Sequence, residues 1–101
     1  MATKKAAVKK DQTVLEEAQS LIYGDRQQSY GSAKQNFKDT ATGWSVILSK
    51  RNEDYVEVTP EDVAMMMVWL KVCRQNNKPG RDNIVDICGY AGCVEKIEKN
   101  L

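Results

Sequence analysis

The sequence contains no histidine, and its three cysteines are an odd number without metal-type spacing. A zinc site would therefore have to be built from thiolates and carboxylates alone, and neither a CxxC motif nor a zinc-ribbon arrangement is present. Cys73, Cys88 and Cys93 lie inside apolar periodic segments, where a free thiol packs as a small hydrophobic group. We interpret them as buried free thiols in a reducing compartment.

Long hydrophobic runs and a strong charge excess are absent as well. The sequence contains no run of about 18 apolar residues, the length needed to span a membrane. The N-terminal lysines are not followed by the apolar segment of a secretory signal. The net charge of +1 lacks the basic excess of a general nucleic-acid binder. We therefore expect an intracellular protein without membrane association and without a nucleic-acid partner.

The basic residues that are present are unevenly placed. Lys4, Lys5, Lys9 and Lys10 lie in the first ten residues, where no acidic residue occurs. This composition is typical of a flexible basic tail over residues 1–10, although an arm that binds nucleic acid or a partner protein would look the same. The length of 101 residues then fits a single helical domain over residues 11–101.

Apolar residues recur at helical spacing in four segments, which predicts an all-α fold, a compact bundle of about four helices. The first helix is predicted over residues 11–23, with Gly24 as its C-cap. The second is predicted over residues 32–50, with Ser32 as its N-cap. The fourth is predicted to begin near Asp82 and contains Gly89 and Gly92, which suggests the close approach of another helix or a ligand.

The third helix has the clearest start, because Thr59 is an N-cap, Pro60 takes the first helical position and Asp62 completes a capping box. Its segment MMMVWLKVC is apolar nearly all round, so we expect it to be the central and most buried helix. The methionines would fill the core or, alternatively, a subunit interface. A chain this short has a thin core, so we expect a homo-oligomer.

Polar residues that could carry chemistry occur in three clusters. In the loop over residues 24–32, Arg26 and Tyr30 precede a helix N-terminus, an arrangement that can bind phosphate or simply connect two helices. Lys71 interrupts the apolar third helix, so it either extends its ammonium group to solvent or pairs with a carboxylate from a neighbouring helix. Near the start of that helix, Glu61 and Asp62 complement the helix dipole.

The third cluster is on the predicted fourth helix. Asp82 can act as a cap, whereas Asp86 lies among apolar neighbours and would be costly to bury without a partner. Arg26, Lys71 or a bound Mg²⁺ could each serve as that partner. Asp82 and Asp86, joined by Glu61 or Asp62, could hold Mg²⁺ through oxygen ligands.

These clusters also carry a resemblance to a known family. The segments GDRQQSYGSAKQNF, TPEDVAMMMVWLKVCR and DNIVDICGYAG resemble a family of small, mostly uncharacterised proteins of tailed phages and prophages. More remotely, the last segment is similar to a helix of the all-α MazG-like nucleoside triphosphate pyrophosphohydrolases. Those enzymes hold Mg²⁺ with a Glu-x-x-Glu pair and a Glu-x-x-Asp pair. Here the first pair is absent, and Asn83 stands where a Glu would precede Asp86.

These observations and resemblances lead to three functional hypotheses for a protein in the host cell cytoplasm. In the first, it binds a nucleotide or another phosphorylated small molecule, with or without Mg²⁺-dependent hydrolysis. Arg26 and Lys71 would then contact phosphate, and Tyr30 or Tyr90 would contact the base or sugar. The alternative is a non-catalytic accessory protein that binds a host protein or sequesters a signalling nucleotide. In the third, the polar clusters only form intramolecular ion pairs.

Overall fold

A computed structural model describes residues 11–25 and 32–99, and these residues form four α-helices and no β-strand. The helices are α1 (Val14–Ser20), α2 (Ala33–Asn52), α3 (Pro60–Asn77) and α4 (Arg81–Lys99). The predicted all-α bundle of about four helices is therefore confirmed. The predicted tail over residues 1–10 lies outside the described residues. None of the helices in the described part combines the length and apolar character that a bilayer crossing requires.

The helix starts follow the capping chemistry of the sequence. Ser32 caps α2, and Thr59 with Asp62 forms the predicted capping box at the start of α3. The predicted start of the first helix is wrong by three residues, because Thr13 caps α1 in a capping box with Glu16. Its predicted end is also wrong. The chain leaves α1 through a π-helical turn, Leu21–Asp25, instead of stopping at a glycine C-cap.

The most buried helix is α4, which packs against α1, α2 and α3. The prediction that α3 is central is wrong, because Met65, Met66 and Trp69 of α3 are 54, 46 and 66% exposed. The physical reason is the orientation of α3 about its own axis, which turns Lys71 inward. The main core joins α2, α3 and α4, and a smaller cluster joins α1 to α4.

The connection between α2 and α3 is held by two serine side chains of α2. The Ser45 hydroxyl oxygen accepts a hydrogen bond of 2.8 Å from the Val58 N–H, and that of Ser49 accepts one of 2.8 Å from the Val56 N–H. The two backbone N–H groups of this non-helical segment thus have hydrogen-bond partners on α2, and without partners they would be costly to bury. It also brings Val58 into the core.

The connection between α3 and α4 is short and makes the two helices antiparallel. The Gln75 side-chain oxygen accepts hydrogen bonds from the Gly80 N–H at 2.9 Å and from the Asn83 amide at 3.2 Å. The same Asn83 amide donates to the Lys78 carbonyl at 3.2 Å. Asn83 therefore has a structural role in the connection between α3 and α4.

The close approach predicted for the glycines of α4 is confirmed at Gly92. A Cβ atom at this position would lie 2.8 Å from Cδ1 of Ile22, a buried residue in the π-helical turn. Contact below about 3 Å between two carbon atoms is repulsive, so the glycine allows this turn to pack directly on α4. In contrast, a Cβ at Gly43 of α2 would meet nothing within 4 Å.

We predict that Gly92→Ala destabilises the protein by about 1–2 kcal/mol, because the added methyl overpacks the contact with Ile22 by more than the gain in helix propensity. Ile22→Val removes Cδ1, so in that background Gly92→Ala should be neutral or stabilising. Urea denaturation of the two single variants and the double variant measures this coupling. The matched control Gly43→Ala should stabilise by up to ~1 kcal/mol. Equal effects of Gly92→Ala in both backgrounds would contradict the packing explanation.

Candidate functional site

An ion pair between α3 and α4 brings together two of the predicted site residues. Lys71 Nζ lies 3.0 Å from Asp86 Oδ2, and the two side chains are 9 and 6% exposed. Both residues lie on the inward faces of their helices, since residues about two turns apart share one face of a helix. Ala64, on the same face of α3 as Lys71, and Cys93, on the same face of α4 as Asp86, are fully buried. The sequence left Arg26, Lys71 or Mg²⁺ open as the partner of Asp86, and the structure shows Lys71 in that place. Of the two alternatives for Lys71, an ion pair with a neighbouring helix is therefore correct.

The pair does not satisfy Asp86 completely. Its Oδ1 atom is buried and has no hydrogen-bond partner among residues 11–25 and 32–99. An unpartnered carboxylate oxygen in a protein interior costs free energy, so the second oxygen is tolerated because Lys71 compensates the charge. Within the part of the chain that the structure describes, Lys71 is thus the cation that compensates Asp86.

Among the described residues, two further charged side chains, Glu17 and Lys96, are buried between helices and were not predicted. Glu17 of α1 is 1% exposed and accepts a hydrogen bond from the Arg81 guanidinium of α4. Lys96 of α4 is also 1% exposed, donates to the Ile22 carbonyl oxygen, and lies 4.7 Å from the centre of the Tyr23 ring. A signal was available for both, since each charged residue lies directly beside apolar positions on the inward face of its helix.

The predicted ligand residue Tyr90 borders a small cavity between α2, α3 and α4. This cavity of about 200 Å³ is lined by both aromatic and polar side chains: Asn36, Phe37, Thr40, Trp44, Val63, Met67 and Tyr90. The rings of Phe37 and Tyr90 meet edge to face, with centroids 6.2 Å apart and planes at 87°. Tyr90 itself is 4% exposed, so its ring closes one wall. Asn36, Thr40 and Trp44 were not predicted as site residues, although they share a helical face with Phe37.

The predicted ligand residues Arg26 and Tyr30 lie outside the described residues. Lys71 and Tyr90 are described, but Lys71 does not line the cavity that Tyr90 borders. The structure therefore brings Lys71 to Asp86 and Tyr90 to the aromatic cavity, at two separate places along α4.

The four predicted Mg²⁺ ligands are not brought together. Asp62 is exposed and accepts a hydrogen bond of 3.0 Å from the Thr59 N–H in the capping box. Glu61 is in the same first turn, ten residues before Lys71, which corresponds to about 15 Å along the helix. Asp82 is exposed in the first turn of α4. No group of three or more Asp, Glu, Cys or His side chains in residues 11–25 and 32–99 could hold a metal ion.

Comparison with known proteins identifies the family. Residues 13–98 match the family described as Domain of unknown function (DUF6378). The chain belongs to this family. It is similar to the "Gene 55 protein" of Mycobacterium phage L5, with 46% identity over 87 residues, 85% of this chain and 53% of that protein. It is also similar to the "Gene 55 protein" of Mycobacterium phage D29, with 42% identity over 87 residues, 85% of this chain and 54% of that protein.

The predicted resemblance to a phage protein family of unknown function is thus confirmed. This DUF6378 chain spans about half the length of the two relatives it matches. No solved structure matches the chain significantly. The remoter similarity to the MazG-like pyrophosphohydrolases stays a prediction.

We predict that Asp86→Ala destabilises the protein by about 3–5 kcal/mol, because it leaves the Lys71 ammonium buried without a counter-charge. Replacing both partners, as Lys71→Met with Asp86→Leu, should be neutral or stabilising by up to a few kcal/mol, since neither charge then has to be buried. Urea denaturation of the single and double variants tests both statements.

The control is Glu95→Ala, which breaks the exposed Glu95–Lys99 pair on the same helix. That change should cost less than about 1 kcal/mol. If Asp86→Ala costs no more than Glu95→Ala, the buried pair has no part in the stability of the protein.

Proposed function

We propose that this phage protein binds a nucleotide or a related phosphorylated small molecule in the host cytoplasm and does not hydrolyse it. The observation that supports this proposal is the cavity bordered by Tyr90. Its wall combines three aromatic rings with the amide of Asn36 and the hydroxyl group of Thr40, the mixture of an apolar lining and a few polar groups that is typical of small-molecule sites.

The cavity suits the base or sugar end of such a ligand. Its volume of about 200 Å³ lies below the roughly 300–1,000 Å³ of typical small-molecule pockets, so it suits one part of a nucleotide and not the whole molecule. The Asn36 amide can both donate and accept hydrogen bonds. The Thr40 hydroxyl donates a hydrogen bond of 3.0 Å to the backbone carbonyl oxygen of Asn36. The hydroxyl oxygen can still accept a hydrogen bond from a ligand. The Trp44 ring offers an aromatic surface against a flat heterocycle.

The phosphate end would then lie outside the cavity, towards the N-terminus of α2. Asn36 is in the first turn of this helix, whose backbone N–H groups and positive dipole end favour an anion. Arg26 precedes that helix in the sequence and remains our proposed phosphate contact. Lys71 is no longer proposed as a phosphate contact, because its ammonium group forms an ion pair with Asp86.

The arrangement of carboxylates supports binding without hydrolysis. Metal-assisted hydrolysis needs several oxygen ligands around one cation. Asp86 is already paired with the ammonium group of Lys71, and a divalent cation placed beside it would be repelled by that charge. Mg²⁺ would accordingly accompany the phosphates of the ligand instead of being held by Asp82 and Asp86.

We predict that at least one member of a panel of nucleoside mono-, di- and triphosphates raises the melting temperature. A ligand at a hundredfold excess over its dissociation constant stabilises a protein by ~2.7 kcal/mol, which differential scanning fluorimetry detects. Each nucleotide is measured with Mg²⁺ and with a chelator, and its hydrolysis products are followed in parallel. Stabilisation without turnover is the expected result.

Two variants with matched controls locate the site. Arg26→Ala should abolish the shift, whereas Arg51→Ala, an exposed arginine in the last turn of α2, should not. Tyr90→Phe should reduce the shift, whereas Tyr55→Phe, at a tyrosine that is 78% exposed, should leave it unchanged. If no nucleotide stabilises the wild-type protein under either condition, the proposal is refuted.

The second candidate function is binding of a host protein without any small ligand. The observation that favours it is the exposed apolar surface of α3, where Met65, Met66 and Trp69 are about half exposed or more. This candidate predicts no thermal shift with any nucleotide and a stable complex with one host protein, which purification from infected cells followed by reconstitution from pure components would test.

A further inference from the structure

The exposed surface of α3 is apolar although the helix carries a charge in the same segment. Between Asp62 and Arg74, Lys71 is the one charged residue, and it points into the protein. The outward side chains of this segment are all apolar or weakly polar: Met65, Met66, Trp69, Leu70, Val72 and Cys73. A helix that faced solvent here would place the charge outside and the large apolar groups inside.

A groove runs beside this surface, between α3 and α2. It encloses about 720 Å³, and Trp44 and Leu48 of α2 form its far wall. Asp62 is the one charged residue among those that line it, and its carboxylate is used in the capping box of α3. Trp69 is itself among the residues that line this groove and is 66% exposed, so the face offers a large apolar side chain at the wall of an apolar recess.

From this geometry we propose that a second copy of the chain covers the α3 face in a symmetric dimer. Under a twofold axis, Trp69 of each copy would enter the groove of the other, so that one patch is complementary to itself. This inference does not require that the protein binds a nucleotide, although Trp44 and Met67 line both the cavity and the groove. It assigns the predicted self-association to one particular surface.

Two properties of the face favour a second copy as its occupant. The face has no free charge to match a charged partner, and a neutral apolar surface is complementary to itself. Five large apolar residues on it, Met65, Met66, Trp69, Leu70 and Val72, are 38–66% exposed. At about 200 Å² for a fully exposed large side chain, this leaves on the order of 500 Å² of apolar area open, near the upper end for the largest patch of a typical monomer. In a homodimer interface that is about 65% apolar, this corresponds to roughly 800 Å² per copy, the size of a standard stable interface.

The test measures the mass of the full-length protein by light scattering and sedimentation over micromolar concentrations. We expect twice the chain mass of 11.4 kDa. Trp69→Glu should weaken the dimer at least about thirtyfold, because a large aromatic at the centre of an interface is replaced by a charge. Leu15→Glu on α1 is the matched control, since Leu15 is 67% and Trp69 66% exposed in a single chain. The control should remain dimeric.

A second measurement needs no change to the face. Cys73 is exposed in a single chain and lines the groove, so its reaction with a thiol reagent should slow at least tenfold as the protein concentration rises through the dimer dissociation constant. Cys73→Ser identifies which signal belongs to this thiol. A wild-type protein that stays at 11.4 kDa with concentration-independent labelling would overturn the proposal. So would equal weakening by Trp69→Glu and Leu15→Glu, or a monomer whose face is covered by a host protein.

Discussion

The ion pair between Lys71 and Asp86 decides how α3 is rotated against the rest of the molecule. The central part of α3 is apolar nearly all round, so hydrophobic burial alone would accept several rotations about the helix axis. An ammonium group in the interior is costly without a compensating partner, and one rotation brings Lys71 within 3.0 Å of Asp86. That rotation leaves Trp69 outside. A polar contact therefore outweighs the burial of the largest apolar side chain on the helix.

Polar contacts also connect α4 to its other neighbours, and two of them involve the buried charges Glu17 and Lys96. Arg81, Asp86 and Lys96 of this helix each meet a different partner: the Glu17 carboxylate, the Lys71 ammonium and the Ile22 carbonyl oxygen. The partners belong to α1, α3 and the π-helical turn. Because α4 is the helix that all others contact, these three polar contacts set its neighbours at defined positions along its length. They add specificity to a core that is thin, since the shortest dimension of the molecule is 19 Å, hardly two helix diameters.

Much of the fold could be predicted because its signals are local. The caps at Ser32 and Thr59, the four helical segments and the need for close packing at Gly92 each depend on a few neighbouring residues. The rotation of α3 could not be predicted, because it depends on a contact between residues 71 and 86 that competes with the hydrophobic pattern. The π-helical turn escaped prediction for a similar reason, since the Lys96 side chain that stabilises its Ile22 carbonyl is far away in the sequence.

The candidate site was predicted in part. Asp86 and Lys71 were identified because charged residues among apolar neighbours need partners, but the sequence left Arg26, Lys71 and Mg²⁺ open as the partner of Asp86. The carboxylates Glu61, Asp62 and Asp82 were grouped with them because of their residue type. The distance between these carboxylates and Asp86 in the fold could not be predicted from the sequence, because it depends on which helices are antiparallel neighbours. The cavity wall formed by Asn36 and Thr40 was missed because small polar residues on a helix usually face solvent.

Trp44 belongs to two surfaces at once, because its side chain lines both the small cavity and the groove beside α3. Met67 is shared in the same way. A molecule that moves either side chain on entering the cavity changes the shape of the groove as well. Occupancy of the two surfaces is then thermodynamically linked: the factor by which cavity occupancy alters affinity at the groove equals the factor by which groove occupancy alters affinity at the cavity.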